Sequence, residues 1–155
     1  ALRGATLPDD AHRTVVMGSN APTLARVQSL AAEMPWPAEV ASDVANMAGL
    51  MAETDVAIGA GGGTTWERCC MGLPSIVIVI AENQTHSAAA IEKSGAALTL
   101  GSLAEKRFNE KLHQNLSQLF CRKHYDAFSA ASSLICDGDG AIRVRNAIKC
   151  SEPCN

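Results

Sequence analysis

The chain has 155 residues, of which 47% are hydrophobic and 19% charged, a length that suits one domain and a composition that supports a packed core. A net charge of −3 with no Lys/Arg run argues against nucleic acid as a partner. No apolar run approaches the ~18 residues of a membrane span, and the opening ALRGATLPDDAHR has no continuous apolar segment of the kind a signal peptide needs.

Residues 1–13 read as a loop. Thr14 to Met17 is a short strand, followed by a turn at Gly18-Ser19-Asn20. Pro22 suits the first turn of a helix, and Leu24, Val27, Leu30 and Met34 recur at helical spacing until Pro35 ends the run. Glu39 to Ser42 is a second strand, and Asp43 to Asn46 a polar turn. Asn46 can cap a helix that carries Met47, Leu50 and Met51 on one face.

The central stretch is DVAIGAGGGTTWERCCMGLPSIVIVIAENQ, residues 55–84. Val56 to Ala60 is an apolar strand running into Gly61, Gly62 and Gly63. Three glycines let a ligand approach the main chain closely. Thr64 with Glu67 three residues later has capping-box spacing, so Thr64 is the expected N-cap. Gly72 and Pro74 end that helix. Ser75 to Ile80 is almost wholly β-branched and apolar, as expected of a parallel strand buried on both faces. The polar turn Glu82-Asn83-Gln84 follows it directly.

Thr85 to Ser94 reads as a helix ended by Gly95, and Ala97 to Leu100 as a further strand. Ser102 and Glu105 repeat the capping-box spacing, which predicts a helix from Leu103. Helical patterning continues to Cys136, with breaks expected near Asn109 and Lys123. Leu112, Leu116, Leu119 and Phe120 form one apolar face, and Tyr125, Phe128 and Leu134 another. After the turn Asp137 to Gly140, Ala141 to Lys149 forms a last helix with Val144 and Ile148 at i, i+4.

Strands alternating with helices predict an α/β fold: a three-layer, Rossmann-like parallel sheet with helices on both faces. Ligands of such sheets bind outside the carboxyl ends of the strands. The glycine turn sits at one such end and opens a helix, which suits a phosphate. A dinucleotide-binding domain is an alternative, because Gly59 to Thr64 nearly matches G-x-G-x-x-G and Glu82 ends the next strand. Against NAD, the sixth position is Thr and the glycine turn follows the third strand, not the first.

Glu67 carries two readings: a capping-box partner of Thr64, or a carboxylate accepting from ribose hydroxyls. Trp66 reads as core or interface packing. The four histidines are scattered, and no catalytic triad, paired carboxylates or metal cluster stands out, so neither metal nor cofactor is expected. Asp137 and Asp139 do not make a calcium loop, since the twelfth position would be Ile148. The six cysteines lack C-x-x-C pairs and read as reduced thiols of a cytoplasmic protein. Cys69 and Cys70, being adjacent on a helix, point in different directions, and Cys150 and Cys154 could pair only adventitiously.

The central run, with Asn46-Met47 before it and Asp137 to Ala141 with Arg143-Val144 after it, resembles the UDP-sugar hydrolase family of pseudaminic acid biosynthesis. More distantly it resembles the UDP-GlcNAc transferase of peptidoglycan synthesis and the two-domain GT-B glycosyltransferases. The resemblance implies the C-terminal, UDP-binding domain of such an enzyme. Glu67 then falls on the ribose-binding position, and Gly62, Gly63, Thr64 and Thr65 on the diphosphate-binding turn. Asn83 and Gln84 fall on the turn that approaches sugar and phosphate. Asp43, Val44 and Met47 lie in the turn, Asp43 to Met47, that holds the uracil ring.

The implied reaction is attack of water on the anomeric carbon with departure of UDP, and its general base is a histidine of the family's N-terminal domain. That domain is an implied partner. The family also has a strand and a Gly-Gly-x-Asp turn ahead of the strand matching Thr14 to Met17, and this sequence shows neither. The sheet is therefore expected to lack its first strand, so that Thr14–Met17 and Val56–Ala60 flank a gap. Closure is expected by direct pairing, by residues 1–13, or by a second copy in a homo-oligomer. Two other functions stay open: a glycosyltransferase domain and a non-catalytic nucleotide-sugar binding module.

Overall fold

The computed structural model describes residues 2–5, 7, 8 and 10–150. It is an α/β structure with two parallel sheets. β1 (Thr14–Met17) pairs in register with β2 (Glu39–Ser42), and α1 (Leu24–Ala32) connects them. β3 (Ala57–Ala60), β4 (Ser75–Val79) and β5 (Ala97–Ser102) form the second sheet, in the order β3-β4-β5. α2 (Met47–Ala52) links the two sheets, α3 (Thr64–Cys70) joins β3 to β4, and α4 (Thr85–Lys93) joins β4 to β5. Then come α5 (Phe108–Leu119), α6 (Arg122–Ser133) and α7 (Gly140–Cys150).

β4 organises the core because it is the middle strand and its side chains alternate between two covered faces. Ile76 packs with Leu100 and with Leu112, Leu116 and Leu119 of α5. Its neighbour Val77 points the other way, into Ala88 and Ile91 of α4 with Ala96 and Ala97. Helices thus lie on both faces, as the alternation of elements predicts. α6 is fastened by two hydroxyls: Ser129 donates to the Gly72 carbonyl at 2.8 Å, and Ser132 to the Ala96 carbonyl at 2.9 Å.

The expected discontinuity is present. β1 and β3 belong to different sheets, and neither direct pairing nor an extra strand from the described residues before Arg13 joins them. Those residues instead form a 3-10 turn at Leu2–Gly4, and Leu2, Ala5 and Leu7 pack against the Ile76 cluster. Read as a loop, this segment gave no sign of that contact.

Several boundaries differ from expectation. β5 continues to Ser102, and the helix begins at Phe108 rather than Leu103. No capping box forms there: Glu105 folds over Gly101, which has φ +71, and pairs with Lys111 at 2.6 Å. The two breaks expected near Asn109 and Lys123 are present within two residues: the chain is not helical up to Arg107, and α5 and α6 are separated at Phe120 and Cys121. Leu134 is 87% exposed, because α6 ends one residue before it and the chain turns away. Trp66, at 44% exposed, is no core residue either. Cys69 is buried and Cys70 exposed, as their adjacency requires, while Cys154 lies outside the described residues. No described helix is long and apolar enough to cross a membrane.

Candidate functional site

The carboxyl ends of β3 and β4 bring two of the expected motifs together. Gly61 continues the ladder by donating to the Ile78 carbonyl at 3.1 Å. Beyond it, the N–H groups of Gly62, Gly63 and Thr64 donate to no backbone carbonyl, whereas Thr65 and Trp66 donate back to Gly62 and Gly63. Three consecutive donors without a backbone acceptor, at the start of a helix, are the kind of group an anion accepts from. Gln84 folds over this turn: its Oε1 accepts from the Ile80 N–H at 3.2 Å, and its side chain reaches both Gly61 and Gly62. Glu82, Asn83 and Gln84 themselves form a 3-10 turn. Glu82 and Asn83 are exposed beside it.

α3 starts differently from its sequence signature. Gly63 is the N-cap, with φ −54 and ψ −38, and Thr64 is already inside the helix. No side chain caps this helix, so the expected capping box between Thr64 and Glu67 does not form. The Thr64 hydroxyl instead accepts from Arg68 at 3.2 Å. Thr65 is buried, and its hydroxyl donates to the Ala60 carbonyl at 3.1 Å. It lies beneath the turn, supporting it, and Thr64 is the threonine that faces solvent.

Released from capping, the Glu67 carboxylate makes no hydrogen bond or ion pair with any described residue. It lines a groove of about 490 Å³, together with Met47, Met51, Trp66, Cys70 and Met71. α2 and α3 line it, with Cys136 and Gly138 from the turn before α7. Asn46 holds α2 in place, its side chain accepting from the Gly49 N–H at 2.9 Å, which is the N-cap the sequence predicts. Met47 and Glu67 therefore share one surface. Asp43 and Val44 sit just before it, at the carboxyl end of β2. Asp43 has φ +51, and its carboxylate accepts from the Ser19 N–H at 3.1 Å; hydrogen bonding to the Ser19 side chain first, and to its N–H second, holds the Asp43 pKa below the usual value. That bond ties the end of β2 to the turn after β1.

No group of three or more His, Cys, Asp or Glu suited to a metal lies among the described residues. Arg68, buried below the glycine turn, went unnoticed in the sequence. Its signal was its spacing, three and four residues after Thr65 and Thr64.

Residues 9–137 match the glycosyltransferase family 28 C-terminal domain. The chain belongs to this family. The spore coat polysaccharide biosynthesis protein SpsG of Bacillus subtilis (strain 168) is 34% identical to this glycosyltransferase family 28 C-terminal domain over 146 residues, covering 89% of the chain and 41% of SpsG. Among solved structures, Acinetobacter baumannii MurG superposes with a TM-score of 0.72 at 19% identity, over 90% of this chain and 42% of MurG. The rhamnosyltransferase SpnG, solved with thymidine diphosphate, gives a TM-score of 0.61 at 19% identity, over 96% of this chain and 47% of SpnG. The domain thus spans less than half the length of each of these proteins. The fold is that of the C-terminal half of GT-B glycosyltransferases. These findings favour the glycosyltransferase alternative over the pseudaminic acid hydrolase as the chain's nearest functional setting.

Proposed function

We propose that this domain binds the UDP part of a nucleotide sugar and forms the donor-binding half of a GT-B glycosyltransferase of polysaccharide biosynthesis, working in the cytoplasm with an N-terminal domain of the same enzyme. The observation that carries the reading is the pairing of three unused N–H donors at Gly62 to Thr64 with an uncommitted Glu67 carboxylate one turn further along α3. The donors suit a diphosphate, and the carboxylate suits the ribose hydroxyls. Asn83 and Gln84 border the phosphates, and Asp43, Val44 and Met47 approach the base. Two names support the class of ligand and process: SpnG was solved with a nucleoside diphosphate, and SpsG is a polysaccharide biosynthesis protein.

Chemistry at the anomeric carbon needs a positioned base as well as a site for the departing diphosphate. The residues described here offer the second. The isolated domain is accordingly expected to bind UDP without turning over a UDP-sugar. Calorimetric titration with UDP, UMP, uridine and NAD tests the reading: UDP should bind more tightly than uridine, and NAD should not compete. Preference for NAD, or rapid UDP release abolished by Glu67→Ala, would overturn it. Hydrolysis and transfer are separated by UDP release from the full enzyme with acceptor withheld: fast release marks a hydrolase, and acceptor dependence a transferase.

A further inference from the structure

Arg68 is the charged side chain in the buried core of the described residues, at 6% exposed. Its guanidinium lies under the glycine turn. Nη2 donates to the Ala60 carbonyl at 3.1 Å and to the Thr65 hydroxyl at 3.0 Å, and Nη1 to the Thr64 hydroxyl at 3.2 Å. A Cβ on Gly59 would stand 2.6 Å from Nη1, so the glycine makes room for the charge. Nε is buried with no partner. Every acceptor is neutral, and no carboxylate forms an ion pair with Arg68 among the described residues. Burial lowers its pKa, yet a guanidinium stays protonated in proteins.

The Glu67 carboxylate acts on Arg68 without forming an ion pair with it, and a buried charge without an ion-pair partner is costly. α3 has only 7 residues, too few for its dipole to define an anion site alone. The same turn carries the N–H groups of Gly62, Gly63 and Thr64, which donate to no backbone carbonyl. We propose that Arg68 is a positioning residue for the ligand's diphosphate: it holds the turn through Ala60, Thr64 and Thr65, and its buried charge is completed by the phosphate anion bound on the opposite side. This rests on the UDP-binding reading above.

The test compares UDP with uridine in the unaltered chain, in Arg68→Lys and in Arg68→Gln, each checked for folding by circular dichroism. A charge acting across a few ångströms of protein is worth about tenfold or more in affinity. The UDP-to-uridine affinity ratio should fall at least about tenfold in Arg68→Gln and be partly kept in Arg68→Lys, while uridine affinity stays nearly constant. A purely structural arginine would weaken both ligands alike and leave the ratio unchanged, which would overturn the proposal. If Arg68→Gln does not fold, the unaltered chain carries the test: the Arg68 Nε–H resonance should shift with UDP and not with uridine, and an unmoved resonance overturns the proposal. Absence of any UDP preference in the unaltered chain overturns the UDP-binding reading together with this role. A preference that survives in Arg68→Gln overturns this role alone.

Discussion

Adjacent valines in β1 and adjacent residues in β4 have opposite fates. Val15 and Val16 point to opposite faces of their strand and are 36% and 39% exposed. Ile76 and Val77, equally apolar and equally alternating, are both 0% exposed. Hydrophobicity is the same, so neighbours decide. β4 has a strand on each side and a helix against each face, whereas β1 has one partner strand, and two-stranded units are marginal by themselves. No described residue before Gly61 is buried. The glycine turn proposed to take the phosphates is therefore built on the packed sheet, and the turn proposed for the base, Asp43 to Met47, on the loosely covered pair.

The largest expected effect tests that division directly. Ile76→Ala should destabilise by about 2–5 kcal/mol in denaturant unfolding, the usual cost of emptying a well-packed site. Val15→Ala should stay within roughly 0.5 kcal/mol, as for exposed positions. Equal losses at the two sites would mean that β1 is covered in solution by something that shields it, such as a second copy of the chain at its free edge. Sedimentation of the unaltered chain would reveal that copy.

Next in size is Glu67→Ala. With no capping role, its loss should leave the melting temperature nearly unchanged while removing charge-assisted bonds to the ribose, each worth roughly 1.5–3 kcal/mol. UDP and UMP should weaken alike in calorimetry, and uracil should not respond. A lowered melting temperature with unchanged UDP affinity would return Glu67 to a structural role.

Gly63→Val should act on the phosphates alone. Nothing stands within 4 Å of a Cβ at Gly63, and its backbone is in the ordinary helical region, so the fold accepts a side chain. That side chain would crowd the outer face of the turn. UDP affinity should drop about tenfold more than UMP affinity, a difference of ~1.4 kcal/mol. Equal losses for both would place the second phosphate away from Gly63.

The same contrast explains what the sequence revealed. All five strands were legible, because short apolar runs bounded by Gly, Pro and Asn are strong signals in a parallel fold. The cap of α2 by Asn46 was legible for the same local reason. Capping boxes were misread twice, at Thr64 and Ser102, since a Thr or Ser three residues before a Glu does not fix the backbone between them. At Thr64 a competitor one turn along the helix, the Arg68 guanidinium, donates to the hydroxyl; at Ser102 the positive φ of Gly101 turns the chain first. The resemblance assigned Thr65 to a ligand-facing turn, whereas Thr65 is buried beneath that turn. A buried hydroxyl held by Ala60 and Arg68 depends on three-dimensional packing that one-dimensional patterns do not carry.

The smallest effect concerns the seam within the loose half. The Asp43 carboxylate accepts from Ser19 and has a pKa below its usual value, with the hydrogen bonds from Ser19 as the leading cause. A carboxylate whose pKa is lower folded than unfolded contributes fully above the unfolded value, near 4. The contribution declines as pH falls towards the folded value and vanishes below it. The Ser19 amide should therefore lose protection from hydrogen exchange on acidification below about pH 4, while amides of β4 keep theirs. Asp43→Asn should make the Ser19 amide insensitive to that acidification. Asp43→Gly is the sharper variant, because it removes the same bond but also relieves a positive φ that favours glycine. The two effects oppose each other, so its stability should change little while UDP binding reports whether the β2 end must be held for the base. A loss of protection in β4 over the same pH range would show that the two sheets unfold together, and the division between a firm phosphate half and a loose base half would have to be given up.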